Sequence, residues 1–233
     1  RHEETLGEIV SKDLRKAEVF KKLGLDFCCG GKKSLKDACR DNGLDLLQVK
    51  EALSKTDKIT GVVPQHDFNT WSLAFLADYI VNVHHAYVKE NLPVIKDLSE
   101  KVAGRHGRTY SELNRIRELV GEMSNELTIH LQKEELVLFP YIKGIEAKAS
   151  GGDVEQQVFH SVQEPIAAME NDHDIVGDLA EQIRILSHDY TLPQNACNSF
   201  ALRYKMLEDF ENDLHLHIHL ENNILFPKAV DRE

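Results

Sequence analysis

The feature that most constrains this chain is a pattern that the sequence contains twice. The first copy is the segment 130–140 (HLQKEELVLFP), and the second is the segment 217–227 (HIHLENNILFP). In both copies a His is followed four residues later by a Glu and nine residues later by Phe-Pro. Because positions four apart lie on one face of an α-helix, each copy can direct an imidazole and a carboxylate to the same point.

The hydrophobic periodicity predicts that this point is a protein core. The four residues of the two pairs fall on the seven-residue rows that elsewhere carry Leu, Ile, Val, Met and Phe. Such rows are the inward faces of helices in a bundle. A single core His would be interpreted as a hydrogen-bonded structural residue. Two His–Glu pairs in matching positions favour a metal site instead, because a buried carboxylate is costly unless it is paired or bound to a metal.

The composition is typical of a helical protein and excludes several classes of function. The chain has 233 residues, of which 42% are hydrophobic and 29% charged, with only 6 prolines. Its net charge of -11 argues against a nucleic-acid partner, because there is no basic stripe for phosphates. No apolar run approaches the length of a membrane span, so no membrane partner is expected. Four cysteines, two of them adjacent, do not form a disulfide framework in a chain this long, and a cytoplasmic location is predicted.

The order of local signals predicts two domains. Short helical patterns with capping signals at Thr5 and Ser34 indicate a small helical domain over residues 1–58. Residues 59–66 are predicted to be the linker, and residues 67–233 the second domain.

The second domain contains four long amphipathic patterns joined by short loops. These patterns predict an all-α, up-down-up-down four-helix bundle. The four predicted helices cover residues 69–102, 111–147, 154–186 and 194–230.

The first and third bundle helices each place one further His on an inward row, His85 and His173. Four imidazoles and two carboxylates are more than one metal ion needs, so a dinuclear site is predicted. Mixed nitrogen and oxygen ligation fits non-haem iron better than manganese. The glutamates would bridge two ions about 3.5–4 Å apart. The predicted metal ligands are His85, His130, Glu134, His173, His217 and Glu221.

Two of these assignments have a neighbouring alternative. His84 competes with His85, and Glu135 competes with Glu134 but falls off the inward rows. Asp172 could orient a ligand imidazole or could be a solvated helix charge, and the second interpretation is favoured. The other histidines are predicted to lie on the surface or in loops: His2, His66, His106, His160, His188, His215 and His219.

In the small domain, an adjacent pair of cysteines requires an explanation. Cys28 and Cys29 precede two glycines, two lysines and the predicted helix that begins after Ser34. A helix N-terminus and lysines both favour the thiolate, and hence a nucleophile or a metal ligand. The alternative is that two small side chains pack in a turn without chemistry, and the residues alone do not decide between the two.

The ligand set and the cysteine pair together resemble a known family. The His and Glu motifs resemble the hemerythrin-like domain of di-iron iron–sulfur cluster repair proteins, and residues 25–31 resemble the cysteine-pair domain that precedes it there. The resemblance implies a hemerythrin-like bundle holding two non-haem iron ions with a bridging oxo or hydroxo group. It also implies repair of iron–sulfur clusters damaged by nitric oxide or oxidative stress. The four-His set departs from oxygen-carrying hemerythrins, which use one more His.

The chemistry of repair is left open at this point. The centre could donate iron to damaged clusters or bind and reduce nitric oxide, with Cys28 and Cys29 as iron-transfer or redox thiols. The expected partners are damaged iron–sulfur proteins and nitric oxide or oxygen, and a homodimer is left open. The rival function is a hemerythrin-like sensor for oxygen, nitric oxide or iron without repair. A ferritin-like oxidase would need paired Glu-x-x-His motifs, and only Glu170 with His173 matches.

Overall fold

The computed structural model describes residues 3–57, 66–149, 151 and 160–233 of the chain. The described segments are helical and contain no β-strand, only an isolated antiparallel bridge between Thr5 and Ser34. The all-α prediction is therefore confirmed. No helix in these segments is both long and apolar enough to cross a membrane.

Four short helices form the N-terminal unit, and their starts follow the predicted caps. Thr5 and Glu8 make the reciprocal hydrogen bonds of a capping box, and the Ser34 side chain accepts from the backbone N–H of Asp37. The helices are α1 Leu6–Lys12, α2 Lys16–Lys22, α3 Leu35–Asp41 and α4 Leu46–Asp57. Helices α1 and α2 are separate because Asp13 adopts an extended conformation and its carboxylate binds Arg15.

The bundle consists of four long helical segments, three of which contain a π-helical turn. The first is α5 Leu73–Tyr79, the π turn Ile80–His85 and α6 Ala86–His106. The second is α7 Glu112–Lys133, the π turn Glu134–Leu138 and α8 Phe139–Ala149. The third is α9 Gln163–Leu186, and the fourth is α10 Asn198–Leu220, the π turn Glu221–Leu225 and α11 Phe226–Arg232.

Neighbouring bundle helices are antiparallel, as the short connections require. Helix α6 packs against α7 and α10, and α7 packs against α9, which closes the up-down-up-down arrangement. In the described residues the third helix begins at Gln163, and residues 154–159 of the predicted helix lie outside the described segments.

The π turns lie where the chain carries candidate ligands. His85 ends one, Glu134 begins the second and Glu221 begins the third. A π turn widens the helix by one residue and changes the direction of the side chains around it, which is why such turns are common at functional sites. Pro140 and Pro227 are each the second residue of the helix that follows, where a missing N–H costs little.

The small unit packs directly on the bundle. Its buried side chains, including Phe20 and Leu25, belong to the same hydrophobic cluster as buried residues of α6, α7, α9 and α10. Its 3-10 turn Cys29–Lys32 contacts α9, α10 and the π turn Glu221–Leu225. The predicted linker 59–66 lies, apart from His66, outside the described residues. The domain boundaries therefore stay a prediction.

Candidate metal centre

The structure brings all six predicted ligands together inside the bundle. Each is at most 2% exposed: His85, His130, Glu134, His173, His217 and Glu221. They come from all four bundle helices, so the site exists only when the bundle is closed. The i, i+4 spacing within each repeated pattern places its His and Glu on the same inward face.

The six side chains form two groups of four, and the two glutamates belong to both. One group is His85, Glu134, His217 and Glu221, and the other is His130, Glu134, His173 and Glu221. Within each group the four candidate ligand atoms lie within 4.8 Å of one another. Two cations placed in these groups would therefore share two carboxylates.

The Nε2 atoms of the imidazoles point at the carboxylates. His85 Nε2 and His130 Nε2 lie 3.2 and 3.3 Å from Oε2 of Glu134. His173 Nε2 lies 3.1 Å from Oε2 of Glu221 and His217 Nε2 lies 3.0 Å from its Oε1. The four rings thus converge on two carboxylates, and the Nε2 atoms of His130 and His173 lie 3.0 Å apart.

Several atoms at the centre of this cluster are buried and unsatisfied. Both carboxylate oxygens of Glu134, Oε2 of Glu221 and Nε2 of His85 make no hydrogen bond with any described residue. Buried polar atoms are normally hydrogen-bonded, and an unpaired buried carboxylate is costly. A cation would satisfy these atoms, and the mixed nitrogen and oxygen donors suit a first-row transition metal such as iron.

In the metal-free chain, protons take the place of part of this positive charge. Burial alone would lower the pKa of His85, but interaction with the nearby carboxylates of Glu134 and Glu221 outweighs it and raises that pKa to about 10. Burial is also the largest single influence on the pKa of His130, but Glu134, Glu221 and Asp172 together outweigh it and raise that pKa to about 9. Burial raises the pKa of Glu221, yet the surrounding imidazoles hold it well below its usual value. Metal binding must therefore release protons.

Two ligand candidates are oriented by a hydrogen bond to the other ring nitrogen. Glu135 Oε1 lies 2.8 Å from Nδ1 of His85 and 2.6 Å from Nζ of Lys89. Asn222 Oδ1 lies 2.8 Å from Nδ1 of His173. Such partners fix the tautomer and the direction of a ligating imidazole. Glu135, which the sequence placed off the inward rows, is thus in contact with the cluster from outside.

The structure also shows the surroundings of Asp172, which could orient a ligand imidazole, and of His84, the alternative to His85. Asp172 Oδ2 lies 3.5 Å from His130 Nδ1 and 2.8 Å from Lys133 Nζ, so it interacts mainly with the lysine. His84 is buried and its Nδ1 lies 2.9 Å from Asp213 Oδ1. Its ring stacks on that of His217 with centroids 5.6 Å apart. It belongs to neither group of candidate ligands.

Two of the histidines expected at the surface or in loops pack beneath the small unit, and His2 lies outside the described residues. His215 is half-buried with its ring 6.1 Å from that of Phe27, and His219 is fully buried. Its Nε2 lies 3.4 Å from the Ser11 hydroxyl, and its ring contacts the Phe27 ring at 5.8 Å. Burial lowers its pKa to about 4. The sequence shows a His on an outward row of α10, but not that another unit covers that row.

The cysteine pair is ordered by a carboxylate that sequence reasoning missed. Asp26 Oδ1 accepts hydrogen bonds from the backbone N–H groups of Cys28 and Cys29 at 3.0 and 3.1 Å. The same oxygen lies 3.2 Å from the Cys28 sulfur, and Oδ2 accepts from the N–H of Gly30 at 2.7 Å. Asp26, Cys28 and Cys29 form a third group of side chains that could hold a metal ion.

Of the two interpretations of the cysteine pair, the surroundings of Cys28 favour the thiol over the thiolate. A hydrogen bond with Cys29, then burial and the charge of Asp26, raise its pKa well above the usual value. The lysines that were expected to lower it are engaged elsewhere. Lys32 binds Glu170 at 2.6 Å and Lys33 binds Asp41 at 3.0 Å.

The fold and the two buried groups of His and Glu side chains that could hold a metal ion define a four-helix-bundle protein of the hemerythrin-like class. Residues 76–229 match the family described as Hemerythrin HHE cation binding domain. Residues 2–57 match the family ScdA_N, described as a Domain of Unknown function (DUF542).

Relatives matched along nearly their whole length identify the family more closely. The chain is 34% identical to the iron–sulfur cluster repair protein YtfE of Pectobacterium carotovorum subsp. carotovorum (strain PC1), over 99% of this chain and 98% of the relative. It is 33% identical to the protein of that name from Yersinia pestis and 35% identical to that from Yersinia pseudotuberculosis serotype O:1b, with the same coverage. The chain therefore belongs to the YtfE family of iron–sulfur cluster repair proteins, and the resemblance stated from its motifs is confirmed.

Proposed function

We propose that this protein repairs iron–sulfur clusters damaged by nitric oxide or oxidative stress, and that a dinuclear iron centre in the bundle supports the repair. The observation that carries the proposal is the pair of four-residue groups that share two buried glutamates. The names of the relatives supply the biological context, because those proteins are described as repair proteins.

In this proposal each iron ion has two imidazoles of its own and shares both carboxylates. His85 and His217 would hold one ion, and His130 and His173 would hold the other. Both ions would share Glu134 and Glu221, with an oxo or hydroxo group as a further ligand. The iron would supply redox capacity and coordination positions for a small ligand such as nitric oxide or oxygen.

The ionisation of the site supports iron donation. When iron leaves as cargo, His85 and His130 can take up protons, because their pKa values in the metal-free chain are about 10 and about 9. The imidazolium charges then compensate the glutamates, which would otherwise repel each other across the core. After the iron has left, these protons would keep the charge of the centre compensated.

The cysteine pair is the proposed transfer group. Cys28 and Cys29 offer two soft sulfur ligands, and Asp26 offers an oxygen within 4.8 Å of them. Iron accepts such ligands in combination. Because the Cys28 thiol is protonated in the absence of metal, transfer to this group also releases protons. Its placement against α9 and α10 brings it to the bundle that holds the donor site.

The proposed partners are damaged iron–sulfur proteins, with nitric oxide or oxygen as small-molecule ligands. A homodimer and a cytoplasmic location stay predictions from the sequence. Sedimentation of the iron-loaded protein at micromolar concentration tests the first.

Reactivation of a nitric-oxide-damaged iron–sulfur enzyme, such as an aconitase, tests the function. We expect the iron-loaded protein to restore activity and to lose about two iron ions per chain as it does so, since two sites share the glutamates. The variant Cys28→Ser with Cys29→Ser should keep its iron but repair more slowly, whereas Cys197→Ser, the matched control, should repair normally. Nitric oxide binding without any reactivation would refute repair and favour the sensor function.

A further inference from the structure

A single π turn connects the metal centre to the cysteine loop, here defined as residues 26–31. Three consecutive polar residues on this turn face three different groups. Glu221 points into the metal cluster, and Asn222 binds Nδ1 of His173 at 2.8 Å. The next residue, Asn223, points the other way, into the cysteine loop.

Asn223 holds the backbone of that loop through its side-chain amide. Its Nδ2 donates to the carbonyl oxygen of Cys28 at 3.0 Å and lies 3.3 Å from that of Phe27. The same nitrogen lies 3.3 Å from Nδ1 of His219, one helical turn earlier. The amide therefore ties the bundle helix to the residues that carry the thiols.

The small unit leaves space for this one amide at two glycines. A Cβ on Gly31 would lie 2.8 Å from Cγ of Asn223, and a Cβ on Gly7 would lie 2.6 Å from the same atom. Neither glycine has a positive φ, so the backbone conformation does not require glycine at these positions. The close approach of the Asn223 side chain does require it, because a Cβ would collide with that side chain. At Gly31 all three nearest atoms belong to Asn223, whereas at Gly7 one belongs to the Gly31 backbone.

We infer that Asn223 is a positioning residue for Cys28 and Cys29, and that metal bound at Glu221 and His173 controls through this turn how accessible the two thiols are. The second half of the inference rests on the proposed function, because it needs a metal ion in the centre. A ligand stabilises the local structure that it binds and so suppresses the opening of that segment. Opening of the cysteine loop requires breaking the contacts of Asn223, which belongs to the stabilised turn. Loss of metal therefore exposes the thiols.

Alkylation of individual cysteines measures this coupling without any repair assay. Iodoacetamide modification, mapped by peptide mass spectrometry, gives a rate for each cysteine in the whole protein. We expect Cys28 and Cys29 to react about 5–150-fold faster in the metal-free protein than with two metal ions bound, the range of typical coupling between sites. Cys39, buried in α3, is the internal control and should not respond. Zinc-loaded protein repeats the comparison with a metal that does not oxidise thiols.

The variant Asn223→Ala separates positioning from direct protection. In the metal-loaded variant, Cys28 and Cys29 should react nearly as fast as in the metal-free parent, while the metal content stays at two. If metal bound to the thiols themselves caused the protection, Asn223→Ala would keep it, and the inference would be overturned. Asn223→Asp keeps the shape and removes the donor, and it gives the same test if the alanine variant folds poorly.

A double-mutant cycle tests the fit of the amide. Gly31→Ala alone should raise the alkylation rates, because its Cβ collides with Asn223. Adding Gly31→Ala to Asn223→Ala should raise them no further, because the colliding side chain is gone. Gly104→Ala, where a Cβ would meet nothing within 4 Å, is the matched control.

The outcomes distinguish this inference from the proposed function. Metal-dependent and Asn223-dependent alkylation in a protein that repairs nothing supports the inference and refutes repair. Repair by a protein whose alkylation rates ignore both metal and Asn223 supports repair and overturns the inference.

Discussion

The two copies of the repeated pattern supply equivalent ligands but lie in different surroundings. In the first copy the outer face is exposed, with Leu136 75% exposed and Gln132 in solvent. In the second copy the equivalent outer positions are covered by the small unit, so His219 is buried and Asn223 is largely enclosed. The repeated local pattern specifies the ligands. The surroundings of each copy determine what the other residues of the pattern contact.

The residues that orient the imidazoles show the same contrast. In the first copy, Glu135 holds His85 and is itself paired with Lys89 at the edge of a cavity of about 410 Å³ between α6 and α7. In the second copy the equivalent residue is Asn222, buried beside His173. The charge of Glu135 costs little because Lys89 and solvent are near. The neutral amide of Asn222 adds no further charge to a buried position.

The largest effect on metal binding is expected at Glu134 and Glu221, the equivalent glutamates of the two copies. Glu134→Ala and Glu221→Ala should each lose at least one metal ion and keep most of the helix content, because each carboxylate belongs to both groups of ligands. Metal analysis with circular dichroism measures both properties. Glu126→Ala, on the exposed side of α7, is the matched control. Retention of two ions by both variants would contradict the bridging role.

The next largest effect on metal affinity is expected at the two residues that orient ligand imidazoles. Glu135→Ala and Asn222→Ala should each weaken metal binding about 10–100-fold, the usual cost of removing the hydrogen-bond partner of a ligating imidazole. Competition with a chelator of known affinity gives the values. Lys89→Ala, which leaves the contact between Glu135 and His85 intact, should cost less. Equal affinity for all three variants and the parent would mean that neither residue orients a ligand.

Of the two copies, only the first should contribute to a loss of stability of the metal-free protein at alkaline pH. The pKa of His130 is raised to about 9, whereas burial lowers that of His217. A raised pKa contributes stability that is complete below the unfolded value near 6.5 and is lost as the pH rises through about 9. The melting temperature should therefore fall between about pH 7 and 10.

Two variants test which histidine causes the fall of the melting temperature at alkaline pH. His130→Gln should flatten the alkaline fall of the melting temperature, whereas His217→Gln should leave it. His85, whose pKa is about 10, sustains the remainder. A slope that is unchanged in His130→Gln would show that the proton lies elsewhere in the cluster.

The smallest effect tests whether the covered and exposed faces differ energetically. Leu136→Gln should change the free energy of unfolding by less than about 0.5 kcal/mol, because the side chain is mostly in solvent. Asn223→Ala, at the equivalent position of the second copy, should cost about 1–3 kcal/mol, because carbonyl oxygens under the small unit lose their donor. Urea unfolding of the metal-free protein measures both, and similar values would remove the contrast.

The sequence alone determined the helical class, the repeated pattern and the six side chains that the bundle brings together. Periodicity and i, i+4 spacing are local properties, so they report which face of a helix is apolar and which polar residues share it. The family followed from two short motifs in a fixed order. The choice between His84 and His85 also came from periodicity, since only His85 shares the row of Trp71 and Leu92.

Only the tertiary structure decided the contacts, the burial and the pKa values of the residues around the candidate ligands. Glu135 reaches His85 because α7 lies beside the first bundle helix, and His219 is buried because the small unit covers α10. The pKa of Cys28 rises because Asp26 and Cys29 face its thiol while Lys32 turns to Glu170 on α9. Apart from the contacts of Cys28 with Asp26 and Cys29, these properties depend on residues distant in sequence, and both burial and charge are sums over all neighbours. A local pattern in the sequence contains no information about which neighbours those will be.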